Sequence, residues 1–92
     1  MSVQIVDKHI EITPGVCGGK PRIAGRRITV QNVAIWHERM AMSPDEIASD
    51  YGLTLGDVHA ALAYYFDNRE EIDWQISEDE AFVEELRQKS AA

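Results

Sequence analysis

The apolar residues of the chain change their spacing near residue 28, and this change separates an extended N-terminal part from a helical remainder. Between residues 3 and 12 apolar and polar positions alternate, which is typical of short β-strands. We expect the Asp7-Lys8 pair to turn the chain within this stretch. The apolar members should then share one side of the strands, namely Val3, Ile5, Ile10 and Ile12. Pro and Gly punctuate residues 13–28, which favours a loop or a short extended arm.

From residue 29 onward the apolar residues recur at helical spacing. A first helix is expected to begin at Thr29 or Val30 and to end at about Met40. Thr29 is suited to be its N-cap, because a threonine hydroxyl can accept a hydrogen bond from an unpaired backbone N–H of the first turn.

The middle of the sequence predicts a short helix, a glycine turn and a longer helix, which is the order of a helix–turn–helix. Ser43 is the expected N-cap of the short helix and forms a capping box with Glu46, and Gly52 is suited to end that helix. The longer helix should begin after Thr54 and continue to about Arg69. Its expected apolar stripe consists of Leu55, Val58, Ala61, Leu62, Tyr65 and Phe66.

The C-terminal segment is expected to form an acidic helix that begins at Ser77, with a capping box to Glu80. One interpretation is a solvated helix face; the other is a partner-binding segment that becomes ordered on contact. In the second case the predicted contact residues are Trp74, Phe82, Val83 and Leu86. The Trp74 ring either anchors this segment to the core or forms the rim of the partner surface.

These patterns predict one mainly α-helical domain over residues 1–92, which is an ordinary length for a single domain. It would contain a short N-terminal β element, a three-helix core with the helix–turn–helix, and a C-terminal helix. Its expected parts are a β and loop arm at residues 1–28, a helical core at residues 29–70, and an acidic segment at residues 71–92. No stretch is apolar enough to cross a membrane and the N-terminus does not resemble a signal peptide, so we expect a cytoplasmic protein.

Charge is distributed unevenly along this chain, whose net charge is −7. Residues 38–85 hold two Lys/Arg and fourteen Asp/Glu, whereas residues 1–37 hold five and two. Four of the nine basic residues lie within eight positions, namely Lys20, Arg22, Arg26 and Arg27. A compact basic segment is suited to contact phosphate, so we predict these four as nucleic-acid-binding residues. The alternative is a structural loop whose arginines pair with the protein's own carboxylates, and Arg27, beside apolar Ile28, is the best candidate for such a pair.

The longer helix of the predicted helix–turn–helix carries no Lys or Arg between Leu55 and Asp67. This composition argues against a conventional major-groove reader, because DNA affinity comes largely from neutralised phosphates. The chain also shows no catalytic constellation. Its single cysteine, Cys17, and its three histidines have scattered spacing, so we expect neither an enzyme nor a metal site nor a cofactor.

Three stretches of the sequence together resemble a known family. They are "PGVCGGKPRIAGRRITV", "MSPDEIASDYGLT" and "DVHAALAYYFDNREEID", and they extend over about residues 13–73. The first is the most specific, with a pattern of Gly-Lys-Pro, Ile, Gly, Arg-Ile and Val. The chain is similar in these stretches to small bacterial and archaeal proteins catalogued as domain of unknown function 433, which are regarded as VapB-type antitoxins. It departs from the family pattern at Ala24, where arginine is frequent, and at Thr29, where proline is frequent.

The resemblance implies a helix–turn–helix antitoxin that binds and silences a PIN-like ribonuclease toxin and represses its own operon as a homodimer. The expected partners are therefore the toxin, operator DNA and a second copy. In this interpretation the basic arm contacts DNA, and the acidic C-terminal region holds a basic toxin. The alternative, from another functional class, is an assembly or adaptor module that does not bind nucleic acid.

Overall fold

The computed structural model describes residues 3–5 and 7–90, and in this range the chain is mainly helical with a small N-terminal sheet. The predicted fold class is confirmed. The strands are β1 (Gln4–Ile5), β2 (Ile10–Ile12) and β3 (Arg22–Ile23). The helices are α1 (Val30–Ala34), which continues as a π-helical turn (Ile35–Arg39), α2 (Pro44–Tyr51), α3 (Leu55–Asp67) and α4 (Arg69–Ser90). Residues 1–2, 6 and 91–92 of the predicted domain lie outside the described residues.

The three strands form an antiparallel sheet in the order β1-β2-β3. Asp7 makes the predicted turn, since its Oδ1 accepts hydrogen bonds from the backbone N–H groups of His9 and Ile10 at 2.7 and 2.9 Å. The register pairs Ile5 with Glu11, so Ile5 lies on the opposite face of the sheet from Ile10. The expectation that these two isoleucines share one side is therefore wrong, because the bent residues between the strands interrupt the alternation.

The segment predicted as a loop or extended arm contributes the third strand. Ile23 pairs with Ile10 across the sheet, and both side chains are fully buried in the same core as the helices. Strands β2 and β3 therefore cover the helical core and do not project from it.

Helix α3 is central to this core, because it packs against α1 and α2 and also contacts β2 and β3. Its buried residues agree with most of the predicted stripe; they are Val58, Ala61, Leu62 and Tyr65. The two other predicted members, Leu55 and Phe66, lie in the terminal turns of α3 and are about half exposed.

The predicted starts of both helices of the helix–turn–helix and the predicted end of the short helix are confirmed, whereas the longer helix ends at Asp67 and Arg69 already belongs to α4. Ser43 Oγ accepts a hydrogen bond from the N–H of Glu46, and the Glu46 carboxylate accepts one from the N–H of Ser43, both at 3.1 Å. The same arrangement opens α3 at Thr54. Gly52 ends α2 with a φ of 65°, a left-handed conformation that glycine adopts without steric cost.

The last helix differs from the expectation. It begins at Arg69, so Ser77 is an exposed residue inside α4 and does not cap it. Ile72 and Ile76 lie one turn apart and are buried against the core, which holds the first half of α4 in place. Every residue from 77 to 90 is exposed, so the second half of α4 extends past the core. The boundary predicted between residues 70 and 71 therefore falls within one continuous helix.

Ser43→Ala is expected to lower the free energy of unfolding by about 1 kcal/mol, because it removes the side-chain acceptor at the start of α2. Ser77→Ala is the matched control, since alanine has the higher helix propensity at an exposed position within a helix. We expect that variant to be as stable as the parent or slightly more stable. Urea denaturation followed by circular dichroism measures both values, and equal losses would contradict a continuous α4.

Candidate functional site

The four residues of the basic segment take different positions in the structure. Arg22 lies on β3 directly opposite Glu11 on β2, and its Nη2 is 2.6 Å from Glu11 Oε1. The same nitrogen donates to Thr13 Oγ1 at 3.1 Å, and Nη1 donates to the carbonyl oxygen of Arg26 at 2.8 Å. Only 11% of the Arg22 side chain is exposed. Its guanidinium group therefore holds the sheet together and is poorly placed to contact phosphate.

Arg26 contacts the C-terminus of α2. Its Nη1 and Nη2 donate to the carbonyl oxygens of Gly52 and Tyr51 at 2.9 and 2.8 Å. These oxygens lie at the end of the helix, where backbone carbonyls are unpaired and the helix dipole favours a cation. Arg26 thus ties the loop after β3 to the turn of the helix–turn–helix.

Lys20 takes part in a cluster around one carboxylate. Lys20 Nζ lies 2.6 Å from Asp79 Oδ2, and Gln31 Nε2 donates to the same oxygen at 2.8 Å. These two hydrogen bonds, with the one from Lys20 the stronger influence, lower the pKa of the Asp79 carboxyl group below its ordinary value. The cluster links the loop before β3 to α1 and α4, at the point where α4 leaves the core.

Arg27 is exposed, and no carboxylate among the described residues lies within ion-pair distance of it. The prediction that Arg27 makes the internal ion pair is therefore wrong. Arg22 makes that pair, because the strand register places it beside Glu11.

The exposed surface of α3 carries no Lys or Arg side chain. Its exposed residues are Leu55, Gly56, His59, Ala63, Phe66 and Asp67. Near the N-terminus of α3, Asp57 Oδ1 lies 2.9 Å from Nδ1 of His9, which belongs to the bend between β1 and β2. Burial alone would raise the pKa of Asp57, but hydrogen bonds from His9 and Thr54 outweigh it and lower the pKa. A fixed carboxylate at this end of α3 disfavours the approach of phosphate.

The second half of α4 continues an apolar stripe whose first half is buried. At about 3.6 residues per turn, Val83 and Leu86 lie in line with Ile72 and Ile76 along the helix. The two isoleucines are covered by the core, whereas Val83 and Leu86 are about half exposed and the flanking Phe82 is 60% exposed. We call Phe82, Val83 and Leu86 the Val83 stripe.

Trp74 lies on the other side of α4. Its sequence distance from Val83 corresponds to about two and a half turns, so the two side chains leave the helix in opposite directions. The Trp74 ring is 65% exposed, and the anchoring of α4 is done by Ile72 and Ile76. Three exposed glutamates lie along the same side of the helix as this ring. We call this set the Trp74 face: Glu71, Trp74, Glu78 and Glu85.

Of the residues predicted as one partner-binding set, Val83 and Leu86 thus lie on the side of α4 opposite Trp74, and Phe82 lies between these two sides. Beside the Val83 stripe, a groove of about 430 Å³ separates α1 and its π-helical turn from α4. Ile35 and Val83 contribute apolar walls to it, and Arg39 forms an ion pair with Glu80 across it. The buried amide oxygen of Gln31 has no hydrogen-bond partner among the described residues.

Sequence reasoning missed the roles of His9, Gln31 and Asp79. Their contacts join residues far apart in the chain, at sequence separations of 48 and 59. Across residues 3–5 and 7–90, no group of three or more His, Cys, Asp or Glu side chains is placed to hold a metal ion. In the same range, none of the helices combines the length and the apolar character needed to span a bilayer.

Comparison with known proteins gives a family match and one similar solved structure. The family described as "Protein of unknown function (DUF433)" matches residues 10–65, so its match ends within α3 and before α4. The crystal structure of a DUF433 member protein from Anabaena variabilis is similar, with a TM-score of 0.69 and 40% sequence identity. That similarity covers 77% of this chain and 70% of the other. The comparison with curated proteins found no match.

Arg22→Ala is expected to lower the free energy of unfolding by roughly 1–3 kcal/mol, because it leaves the largely buried Glu11 carboxylate without its partner. Arg27→Ala removes an exposed arginine from the same segment and should change stability by less than about 0.5 kcal/mol. Urea denaturation of both variants tests the contrast. A larger loss for Arg27→Ala than for Arg22→Ala would contradict the positions described above.

Proposed function

The chain belongs to the DUF433 family, and we propose that it is the antitoxin of a toxin–antitoxin pair, which binds a basic PIN-like ribonuclease toxin and contacts operator DNA. The resemblance described above suggests this role, and the surface of α4 gives it a physical basis. The observation that carries the proposal is the Trp74 face, because a large aromatic side chain lies exposed among carboxylates on a helix whose second half extends past the core.

Trp74 supplies what a central contact in a protein interface needs. Tryptophan is enriched among the residues that dominate binding energy, since its ring buries a large area and loses little conformational entropy. The surrounding glutamates favour a basic partner and would steer its approach. The first half of α4 is anchored by Ile72 and Ile76, so this surface is already ordered and binding does not have to fold it.

Operator contact is supported by fewer residues. Lys20, Arg22 and Arg26 contact other parts of the same chain, and α3 offers no Lys or Arg. We therefore assign the phosphate contact of the basic segment to Arg27. A dimer would present this arginine twice, which adds to an attraction that the net charge of −7 otherwise opposes.

The internal contacts of those three cations favour a second candidate function. An assembly or adaptor module needs no exposed basic surface, and such a module would use the same α4 without binding nucleic acid. The two candidates differ in one measurable property, which is salt-dependent affinity for the DNA upstream of the gene.

Trp74→Ala is expected to weaken binding to the PIN-like protein encoded beside this gene by on the order of thirtyfold, because it removes the central aromatic contact. Phe66→Ala is the matched control, since it removes an exposed aromatic side chain from α3. Isothermal titration calorimetry and inhibition of the toxin's ribonuclease activity provide two readouts. Unchanged affinity for Trp74→Ala, or no binding by the parent chain, would refute toxin capture by this face.

For the operator, the parent chain should bind its upstream DNA with an affinity that falls as salt rises. Arg27→Ala should reduce the slope of log affinity against log salt by about 1 for each chain that contacts DNA. Lys89→Ala, which removes an exposed cation at the far end of α4, should leave the slope unchanged. Fluorescence anisotropy with a labelled duplex measures these slopes, and absence of binding at low salt would favour the adaptor.

A further inference from the structure

We propose that two copies of this chain pair through the Val83 stripes of their α4 helices, in antiparallel orientation, each α4 lying over the groove beside the other's stripe. This inference goes beyond the proposed function and does not depend on it. It concerns the face of α4 opposite to Trp74.

The first step is the continuity of the apolar stripe. Along α4 the residues Ile76, Asp79, Val83 and Leu86 follow one another at alternating spacings of three and four, which is the pattern of a helix that packs along a partner helix. Three of these positions are apolar, and the carboxylate of the fourth, Asp79, is bound by Lys20 and Gln31 of the same chain. The core covers this line only as far as Ile76. Beyond it, Val83 is 51% exposed and Leu86 47% exposed, with Phe82 beside them. A partner helix would bury Val83 and Leu86, as the core buries Ile76.

The second step is the charge that flanks the stripe. Glu80 and Arg87 lie one heptad apart, so they occupy equivalent flanking positions on the same side of it. When two such helices run antiparallel, equivalent flanking positions face each other. Glu80 then meets Arg87 of the second copy, and Arg87 meets Glu80 of the second copy, as two-fold symmetry requires.

The flanking charges and the apolar stripe share one centre along α4. The midpoint between Glu80 and Arg87 falls between residues 83 and 84, which is also the middle of the Val83 stripe. One antiparallel register therefore aligns the apolar residues and the opposite charges together. A parallel pair would instead place the acidic residues at 78–80 of both copies side by side.

The present contacts of these charges do not oppose this arrangement. Arg87 pairs with Glu84 at 3.4 Å on the helix surface, and Glu80 pairs with Arg39; all four side chains are about half exposed or more. Exposed pairs of this kind contribute little to stability, so they are easily rearranged. The Glu80 carboxylate also has two oxygens and can keep Arg39 while it accepts from Arg87 of the second copy.

A second copy fits this face better than a basic toxin does. The Val83 stripe is flanked by both signs of charge in a self-complementary order, whereas the charged members of the Trp74 face are glutamates, with Lys89 paired to Glu85 at the far end of the helix. Because the two faces point in opposite directions, one helix can serve both contacts.

Sedimentation equilibrium of the full chain tests the pairing. The parent should show a reversible monomer–dimer equilibrium, and Val83→Glu/Leu86→Glu should be monomeric, because it places four carboxylates in the shared apolar surface. Both residues are exposed in the single chain, so circular dichroism should show unchanged helix content. Trp74→Ala should dimerise like the parent. A monomeric parent, or a dimer that survives the double substitution, would overturn the proposal.

A charge exchange tests the orientation. Glu80→Lys and Arg87→Glu should each weaken the dimer on the order of tenfold, because a two-fold dimer contains each altered pair twice. The double variant Glu80→Lys/Arg87→Glu restores opposite charges across an antiparallel pair and should dimerise more tightly than either single variant, although the pair between Glu80 and Arg39 is lost in it as well. A double variant that dimerises no more tightly than the single variants would refute antiparallel pairing through α4.

Discussion

Three cationic side chains between residues 20 and 26 connect parts of the fold that are distant in the sequence. Lys20 contacts Asp79 on α4, Arg22 contacts Glu11 within the sheet, and Arg26 contacts the carbonyl end of α2. In a domain with a net charge of −7, carboxylates repel one another, and cations placed between separate elements reduce that repulsion where the elements meet. The concentration of positive charge in one short segment is therefore explained in large part by the fold itself.

The contact at Asp79 also decides what α4 can present. Ile72 and Ile76 fix the first half of the helix, and the Asp79 carboxylate, bound by Lys20 and Gln31, fixes the turn that follows. Beyond this turn the helix has no buried residue. Its direction is set by the core while all sides of its second half stay accessible, which is why two opposite faces can carry different chemistry.

Local features of this fold could be predicted from the sequence, because they depend on residues close together in the chain. The capping box at Ser43, the left-handed Gly52 and the buried stripe of α3 are examples. Ser77 shows the limit of such signals, since its capping pattern is present but the burial of Ile72 and Ile76 continues the helix through it. Packing against the core outweighs a cap, which typically contributes only about 1 kcal/mol.

The candidate site was harder to predict than the fold for a related reason. Residue types identified the basic segment and the exposed residues of α4, but not which arginine is paired. That outcome depends on strand register, which places Arg22 and not Arg27 opposite Glu11. The separation of Trp74 from the Val83 stripe follows from α4 being one continuous helix, and a helix that began at Ser77 would not have fixed the two on opposite sides.

If α4 binds the toxin through its Trp74 face and a second copy through its Val83 stripe, the positions of the two faces determine whether both contacts can form at once. An antiparallel pair of α4 helices covers the Val83 stripes and leaves the Trp74 face of each copy on the outside, so toxin binding does not require the dimer to separate. Arg27 belongs neither to the Val83 stripe nor to the Trp74 face. Dimerisation would affect its contact with DNA only because a dimer presents two such arginines instead of one. Toxin and DNA would then influence each other through electrostatics, because a bound basic toxin neutralises the glutamates that otherwise repel DNA. That influence should weaken as salt screens the charges, which distinguishes it from coupling through a change in the shape of the dimer.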